Sequence, residues 1–256
     1  MKSLISFISK EITEQMRTGK LVLLLIIFML FGIMNPAIAK LTPWLLEAMS
    51  ESLAESGMII TQVKITAMDS WVQFFKNIPI CFIVFILIQS SVFTKEYTSG
   101  TLVLSLTKGL SRYKVVVSKS LVMVAFWTVG YWLCFGITYL YNSYYWDNSV
   151  AQNLIYSAGC WWLFGLFCIS LMVLFSVIIN SNTGVLAGVG TVVLISYAAA
   201  LIPKAAKYMP TAIISSNALI YSEVAASEYT VAVIITALLT IICFTVSVPI
   251  FNRKSL

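Results

Sequence analysis

The sequence predicts an all-α integral membrane protein with six transmembrane helices and an N-terminal amphipathic helix. Of its 256 residues, 60% are hydrophobic and only 10% are charged, whereas soluble domains are close to half apolar and about a quarter charged. Six stretches are long enough to cross a hydrocarbon layer about 30 Å thick, which takes about 20 apolar residues. The Lys and Arg residues gather on one side of these stretches.

A single transmembrane domain accounts for residues 1–256. The predicted spans are residues 21–39, 71–93, 115–139, 154–179, 184–202 and 230–250. Their central parts hold no ionised side chain, although ion-coupled carriers usually keep one near the midplane. We therefore expect any energy for transport to enter from outside the membrane.

Residues 1–20 are predicted to form the amphipathic helix. Ile5, Ile8, Ile12 and Met16 follow one another at steps of three and four residues, which places them on one helix face. We expect this interfacial helix to lie along the inner membrane surface. A cleaved secretory signal is the alternative, but the lead-in is too long for its charged segment, and the apolar stretch that follows is long enough to span.

The distribution of basic residues predicts the orientation. If both termini lie on one side, that side holds 11 of the 16 Lys and Arg residues. The other side holds Lys40, Lys64, Lys76, Lys204 and Lys207. Because loops rich in Lys and Arg stay cytoplasmic, we expect cytoplasmic termini in a multi-pass protein of the plasma membrane. The net charge of +6 is thus a topology signal and does not indicate a nucleic-acid partner.

Two long outer loops, residues 40–70 and 203–229, are harder to interpret. A helix with Pro43 in its first turn is predicted in the first loop, either lying against the outer leaflet or gating a substrate. Apolar stretches in the second loop predict short helices that dip into the outer leaflet. The role of both loops stays open.

The chain lacks the residues for catalysis. It has no His, the commonest general base and zinc ligand, and its carboxylates are dispersed. It has no Gly-x-x-x-x-Gly-Lys-Ser/Thr run that could cradle a phosphate. Its five cysteines are odd in number and contain no Cys-x-x-Cys pair, which argues against disulfides or a metal site. We expect a non-catalytic subunit without catalytic residues, metal or cofactor of its own.

The segment between the second and third spans, residues 94–114, is dense in charge and continues to Lys119. In it, Thr98-Ser99-Gly100-Thr101 breaks the chain and supplies small capping side chains. The residues from Leu102 to Leu106 predict one or two turns of apolar helix, which Gly109 ends. A short apolar helix on a basic loop outside the membrane needs a partner to cover it.

This segment resembles the cytoplasmic loop of ABC-2-type permeases, the membrane subunits of ATP-binding-cassette exporters. That family's pattern is an acid, three residues, Gly-Thr-Leu, a short apolar helix, Pro, Ser-Arg and a Lys that opens the third span. The chain departs from it by having Gly109-Leu110 where Pro is usual. The resemblance extends to the layout of an amphipathic helix, six spans, internal termini and a long outer loop after the first span.

The resemblance implies a type V exporter-like bundle in which Gly100 to Thr107 form a coupling helix seated on a separate ATPase. Glu96 would orient the base of this helix, and Arg112 with Lys119 would hold the loop at the membrane surface. The interfacial helix would also touch the ATPase. The implied ATPase-coupling residues are Glu96, Gly100, Thr101, Leu102, Leu104, Leu106, Ser111, Arg112 and Lys119.

The implied partners are an ABC ATPase that binds ATP and Mg, a second permease, identical or related, and the lipid bilayer. The cargo would be amphiphilic, such as an antimicrobial or toxin-like peptide, a drug or a lipid. Two other functions remain open: a stand-alone secondary carrier or channel, and an immunity protein that sequesters a peptide. Transport without an ATPase would favour the first. Protection that survives bulky acidic residues at Gly100 and Thr101 would favour the second.

Overall fold

The computed structural model describes residues 2–48, 65–107, 111–222 and 224–254. Within these ranges the chain forms helices and connections, without a strand. The α-helices are α1 (Lys2–Arg17), α2 (Lys20–Ala48), α3 (Ala67–Gln89), α4 (Ser91–Thr98), α5 (Thr101–Thr107), α6 (Arg112–Tyr145), α7 (Leu154–Ile178), α8 (Asn182–Ala200), α9 (Pro203–Ala206) and α10 (Thr230–Arg253). Short 3-10 helices cover Asn148–Val150, Pro210–Tyr221 and Ala226–Tyr229.

Six of the described helices are long and apolar enough to cross a membrane: α2, α3, α6, α7, α8 and α10. This confirms the predicted all-α class with six spans. One end of the bundle gathers α1, α4, α5, the start of α6 and the end of α10. We call it the termini end, and the opposite end, with the 3-10 helices, the far end.

Helix α2 contains two prolines and is nevertheless continuous to Ala48. Pro36 has no N–H for the carbonyl of Gly32, and the hydroxyl of Thr138 on α6 donates to that oxygen at 3.0 Å. Directly before Pro43, the hydroxyl of Thr42 donates to the carbonyl of Ile38, one turn earlier, at 2.8 Å. The separate helix predicted to start at Pro43 is therefore wrong, because α2 runs through this position. The predicted outer loop continues over residues 49–64, which lie outside the described residues.

The connection from α8 to α10 packs on the bundle. Ile213, Leu219 and Ile220 of the longest 3-10 helix are fully buried, and this helix contacts α7, α8 and α10. The hydroxyl of Ser157 on α7 donates to the carbonyl of Ser216 at 2.6 Å. These three apolar residues are thus covered by the chain's own helices although they lie outside a span.

The core is centred on Trp127 of α6. Its ring lies 4.8 Å from the ring of Phe82 and 5.9 Å from the ring of Phe28, measured between centroids. Its indole N–H donates to the carbonyl of Trp162 on α7 at 3.1 Å. α7 approaches this closely because Gly165 leaves room, since a Cβ at that position would lie 2.5 Å from Trp127 Nε1.

We predict that Gly165→Ala destabilises the bundle by about 1–3 kcal/mol, because the added methyl group overpacks a close-packed core. Gly159 lies on the same helix, and a Cβ there meets nothing within 4 Å. Gly159→Ala should therefore be neutral or stabilising by up to about 1 kcal/mol, through helix propensity alone. Thermal unfolding of the purified chain in detergent checks both variants. Equal melting temperatures for the two would contradict the close approach.

Candidate functional site

The connection between α4 and α5 depends on Gly100. Its φ is +68°, in the left-handed region that side chains disfavour. Its N–H donates to the carbonyl of Tyr97 at 3.3 Å, and the N–H of Ser99 donates to the carbonyl of Lys95 at 3.0 Å. Gly100 thus ends α4 as a left-handed C-terminal residue. Helix α5 begins at Thr101, whereas the helix implied by the resemblance began at Gly100, because this conformation is incompatible with a helix.

Helix α5 is anchored to the helix bundle by its apolar side chains. Leu102 is 2% exposed, and Leu106 is half-buried and packs against the core. Thr101 and Thr107 are exposed. The backbone of Leu104 lies in α5, but its side chain and residues 108–110, including Gly109, fall outside what the structure describes. Because Leu102 is already covered, it holds the helix in place, and the exposed surface of α5 is the part available to a partner.

A network of ion pairs joins α1, α4 and α6 beneath α5. The ammonium of Lys119 on α6 lies 2.9 Å from Glu11 Oε2 on α1. It also lies 3.1 Å from Glu96 Oε2 on α4, an ion-pair contact without hydrogen-bond geometry. The three side chains are buried, that of Lys119 to 2% exposure. The predicted residues Glu96 and Lys119 are thus in direct contact. Lys119 also pairs with Glu11 of α1, which was not predicted.

Lys10 completes the network on its solvent-exposed side. Its ammonium lies 2.7 Å from Glu96 Oε1, 3.0 Å from Glu11 Oε1 and 2.9 Å from Glu14 Oε2. Each buried carboxylate therefore has two ammonium partners, which is the condition under which buried charges are tolerated. Breaking any buried member leaves an uncompensated charge, so the network fixes α4 against α1 and α6.

Two further polar contacts hold the termini end together. On α1, Gln15 donates its amide to Gln89 Oε1 at the end of α3, at 3.1 Å. At the start of α2, the ammonium of Lys20 donates to the carbonyl of Ile88 and to Ser91 Oγ, at 3.3 and 2.9 Å. These contacts satisfy groups at the break between α3 and α4, where helical bonding is interrupted. The base of α4 is thus held by both α1 and α2.

Arg112 connects the start of α6 to the end of α10. Its guanidinium donates to the carbonyls of Phe251 and Asn252, each at 3.3 Å, and closely to that of Lys254. Phe251 and Asn252 belong to the last turn of α10, and Lys254 follows it. A cation at the end of a helix also complements the helix dipole. Ser111 stands at the N-cap of α6, but its side chain makes no capping bond.

The end of the chain also contacts α4. The ammonium of Lys254 lies 4.2 Å from the ring centroid of Tyr97, a cation–π distance. The hydroxyl of Tyr97 donates to the carbonyl of Ser176 on α7 at 3.1 Å. Helix α4 is therefore linked to α1 and α6 by charge, and to α7 and the segment after α10 through Tyr97.

The interfacial helix α1 has two faces. Its predicted apolar residues remain on the outside: Ile5 and Met16 are exposed, and Ile8 and Ile12 are half-buried. The neighbouring face, with Phe7, Glu11 and Gln15 at four-residue steps, is buried against the bundle. The apolar face of α1 is thus left for the membrane or a partner, while its polar face holds the network.

Sequence reasoning missed Lys10, Glu11 and Gln15. The available signal was the helical spacing of Glu11 and Gln15 with Phe7, on a face beside that of the isoleucines. Polar residues in such a row on an otherwise membrane-facing helix indicate a partner inside the protein. The position of that partner, Lys119, 108 residues away, is not visible in any local pattern.

The carboxylates of Glu11, Glu14 and Glu96 approach within 4.8 Å of one another, as in some metal sites. Here two ammonium groups already compensate them, so the group acts as part of an ion-pair network. All five cysteines are free and buried, in agreement with their interpretation as small apolar side chains.

The neighbouring charges shift the pKa values of Lys10 and Glu14, the two less buried members of the network. Burial lowers the pKa of Lys10, but the bonds to Glu96 and Glu14 and the charge of Glu11 outweigh it and raise the pKa. Burial raises the pKa of Glu14, but the bond to Lys10 and the nearby lysines outweigh it and lower the pKa below its usual 4.5. Both groups are therefore charged across the physiological range.

These shifts predict a pH dependence of stability. The pKa of Glu14 is lowered by folding, so its contribution is present above its unfolded pKa and is lost as the pH falls through the folded one. The contribution of Lys10, whose pKa is raised, is present below 10.5 and is lost only in more alkaline solution. The difference in melting temperature between the wild type and Glu14→Gln should shrink as the pH falls from about 6 to about 3. A constant difference would contradict the pairing.

Comparison with known proteins gives two matches. Residues 5–256 match the family described as ABC-2 family transporter protein. The uncharacterized transmembrane protein YxlG of Bacillus subtilis (strain 168) is 23% identical over 222 residues, which is 83% of this chain and 83% of the relative. The family match extends over nearly every element described above, including the segment from α3 to α6.

Proposed function

The chain belongs to the ABC-2 family of transporter proteins, and on that premise we propose that it forms the substrate pathway of an ATP-driven exporter. It is a multi-pass membrane protein and a membrane transport component. In the proposal, a separate ATPase binds ATP and Mg and drives export of an amphiphilic substrate. The coupling runs through residues 94–114, with α5 seated on the ATPase in the cytoplasm and both termini on the same side.

The observation that carries the proposal is the buried ion-pair network around Lys119. A short helix can transmit movement only if it is fixed to the spans. Glu96 fixes α4, which joins α5 at Gly100, to α1 and α6 through Lys10, Glu11 and Lys119. A loop that only keeps positive charge in the cytoplasm needs no buried carboxylate. The network therefore supports a mechanical role for α4 and α5.

The contacts of Arg112 and Tyr97 extend this role to α7 and α10. Arg112 attaches the start of α6 to the end of α10, and Tyr97 attaches α4 to the end of α7. When nucleotide binding closes the ATPases, α5 moves with them, and α6, α7 and α10 receive that movement at their termini ends. The spans then change between two packings, and the binding of nucleotide to the ATPases favours one of them.

The assembly we propose contains two permeases, identical or related, and two ATPases. The apolar spans, whose central parts hold no ionised side chain, suit an amphiphilic cargo, such as a peptide, a drug or a lipid, better than a sugar or an ion. The exposed apolar face of α1, with Ile5 and Met16, lies along the inner leaflet and beside the ATPase.

Reconstitution tests the proposal. The chain is co-expressed with a candidate ABC ATPase subunit from the same genome, purified, and placed in proteoliposomes with a fluorescent amphiphile. We expect the ATPase to co-purify and the amphiphile to move only with ATP. Movement without the ATPase would support a stand-alone carrier instead. Protection of cells from a peptide by the chain alone, without the ATPase, would support a sequestering protein.

A further inference from the structure

An apolar groove of about 420 Å³ opens on the side of the bundle between α3 and α8. Buried side chains of α7, Trp161 and Phe164, form its floor, and the more than half-exposed Ile83 and Leu87 form its α3 edge. This volume falls within the range of about 300–1,000 Å³ that is usual for small-molecule sites. Because α3, α7 and α8 are spanning helices, the groove is open to the bilayer, and lipid is the molecule that surrounds it.

Lys76 is an exposed residue on the same face of α3, one helical turn from the groove toward the far end. It precedes Ile80, Ile83 and Leu87 by four, seven and eleven residues, spacings that align side chains on one helix face. Among the described residues, its ammonium has no carboxylate within ion-pair distance. The nearest acid along α3, Asp69, bonds to the N–H of Thr66 as part of a capping box.

The position of Lys76 along α3 corresponds to the boundary of the hydrocarbon layer. It lies nine residues into the helix, about 13 Å along the axis. The preceding turns carry Asp69 and Gln73, and the residues after Asn77 are apolar as far as Ile88. A lysine near a helix end extends its ammonium to the headgroups, where anionic lipids attract it. Lys76 thus places a positive charge at headgroup level, directly above an apolar groove.

We infer that this groove binds an anionic membrane lipid, with its phosphate at Lys76 and an acyl chain between α3 and α8. Tyr197, on the α8 side, is half-exposed and is the groove residue nearest the far end of that helix. Its hydroxyl gives the headgroup a second donor. A lipid without net charge fills the same groove but does not compensate the ammonium. The inference does not rest on the proposed function, because it requires neither an ATPase nor nucleotide.

Native mass spectrometry of the full chain in detergent tests this site, with phosphatidylglycerol and phosphatidylcholine of the same acyl chains as probes. We expect phosphatidylglycerol to bind about fivefold more tightly, because one lysine at a membrane surface contributes about 1 kcal/mol. Lys76→Gln should remove that preference. Lys40→Gln is the matched control, since Lys40 also belongs to the far end but lies 3.6 Å from the ring centroid of Tyr145.

A second variant tests the groove itself. A Cβ at Gly190 meets nothing within 4 Å, and Gly190 lines the groove, so Gly190→Leu should fold normally and reduce binding of both lipids. Gly136→Leu, in an equally open position on α6, should leave the binding of both lipids unchanged.

Equal binding of the two lipids by the wild type, or an unchanged preference in Lys76→Gln, would refute the headgroup contact. A change in oligomeric mass in Gly190→Leu without loss of lipid would show that a second copy of the chain covers the groove, and would also refute the inference.

Discussion

Replacing Lys119 by methionine is expected to destabilise the chain by about 3–5 kcal/mol, because it leaves Glu11 and Glu96 as buried charges with one partner fewer. The ammonium of Lys119 lies 2.9 Å from Glu11 and 3.1 Å from Glu96, at 2% exposure. Methionine has nearly the same shape, so the loss measures charge compensation and not a cavity. The free energy of unfolding in mixed micelles, measured by detergent titration, gives the value.

Two control variants separate this effect from the loss of any lysine. Lys114→Met, on the same helix, removes one exposed hydrogen bond to Ser3 Oγ and should cost no more than about 1 kcal/mol. Adding Glu11→Gln and Glu96→Gln to Lys119→Met removes the uncompensated charges and should restore most of the stability. If Lys119→Met costs no more than Lys114→Met, the network does not fix α4 to the bundle.

The second large effect concerns binding of the partner. Thr101 is exposed at the start of α5, so Thr101→Glu should leave folding intact and place a charge in the proposed contact with the ATPase. We expect the affinity for the ATPase to fall by about thirtyfold or more, the loss of about 2 kcal/mol that is typical of a central interface position. Co-purification with the ATPase and stimulated ATP hydrolysis measure this change.

Ser215→Glu is the control for Thr101→Glu, because Ser215 is also exposed but belongs to the far end. It should bind the ATPase as the wild type does. An unchanged affinity in Thr101→Glu would exclude α5 as the docking element and leave α1 as the remaining candidate.

The sequence was sufficient to predict the spans, because each is a long apolar run that is recognised from its own length and composition. It was insufficient at Pro43, where the pattern indicated a new helix and the structure has a continuous one. There the hydroxyl of Thr42 bonds to a carbonyl one turn earlier, and at Pro36 a hydroxyl from α6 compensates for the missing N–H. The second of these contacts comes from a residue about 100 positions away, so no local rule reports it.

The candidate site was also predictable only in part, because some of its contacts come from residues far apart in the sequence. The break at Gly100 was visible as a glycine between capping residues, although its left-handed φ places it before the helix. Glu96 and Lys119 were found through the family resemblance, but their direct contact and the third member, Glu11, depend on how α1 folds back onto α6. Leu102 was expected at a partner surface, and the bundle itself covers it.

Site-directed labelling tests the central claim most directly. All five native cysteines are buried and Thr107 is exposed, so Thr107→Cys provides one reactive thiol at the end of α5. We predict that a membrane-impermeant maleimide labels it only in inside-out vesicles, and that the partner ATPase identified by co-purification protects it when added. Labelling from outside intact cells, or a labelling rate unchanged by the ATPase, would contradict the account.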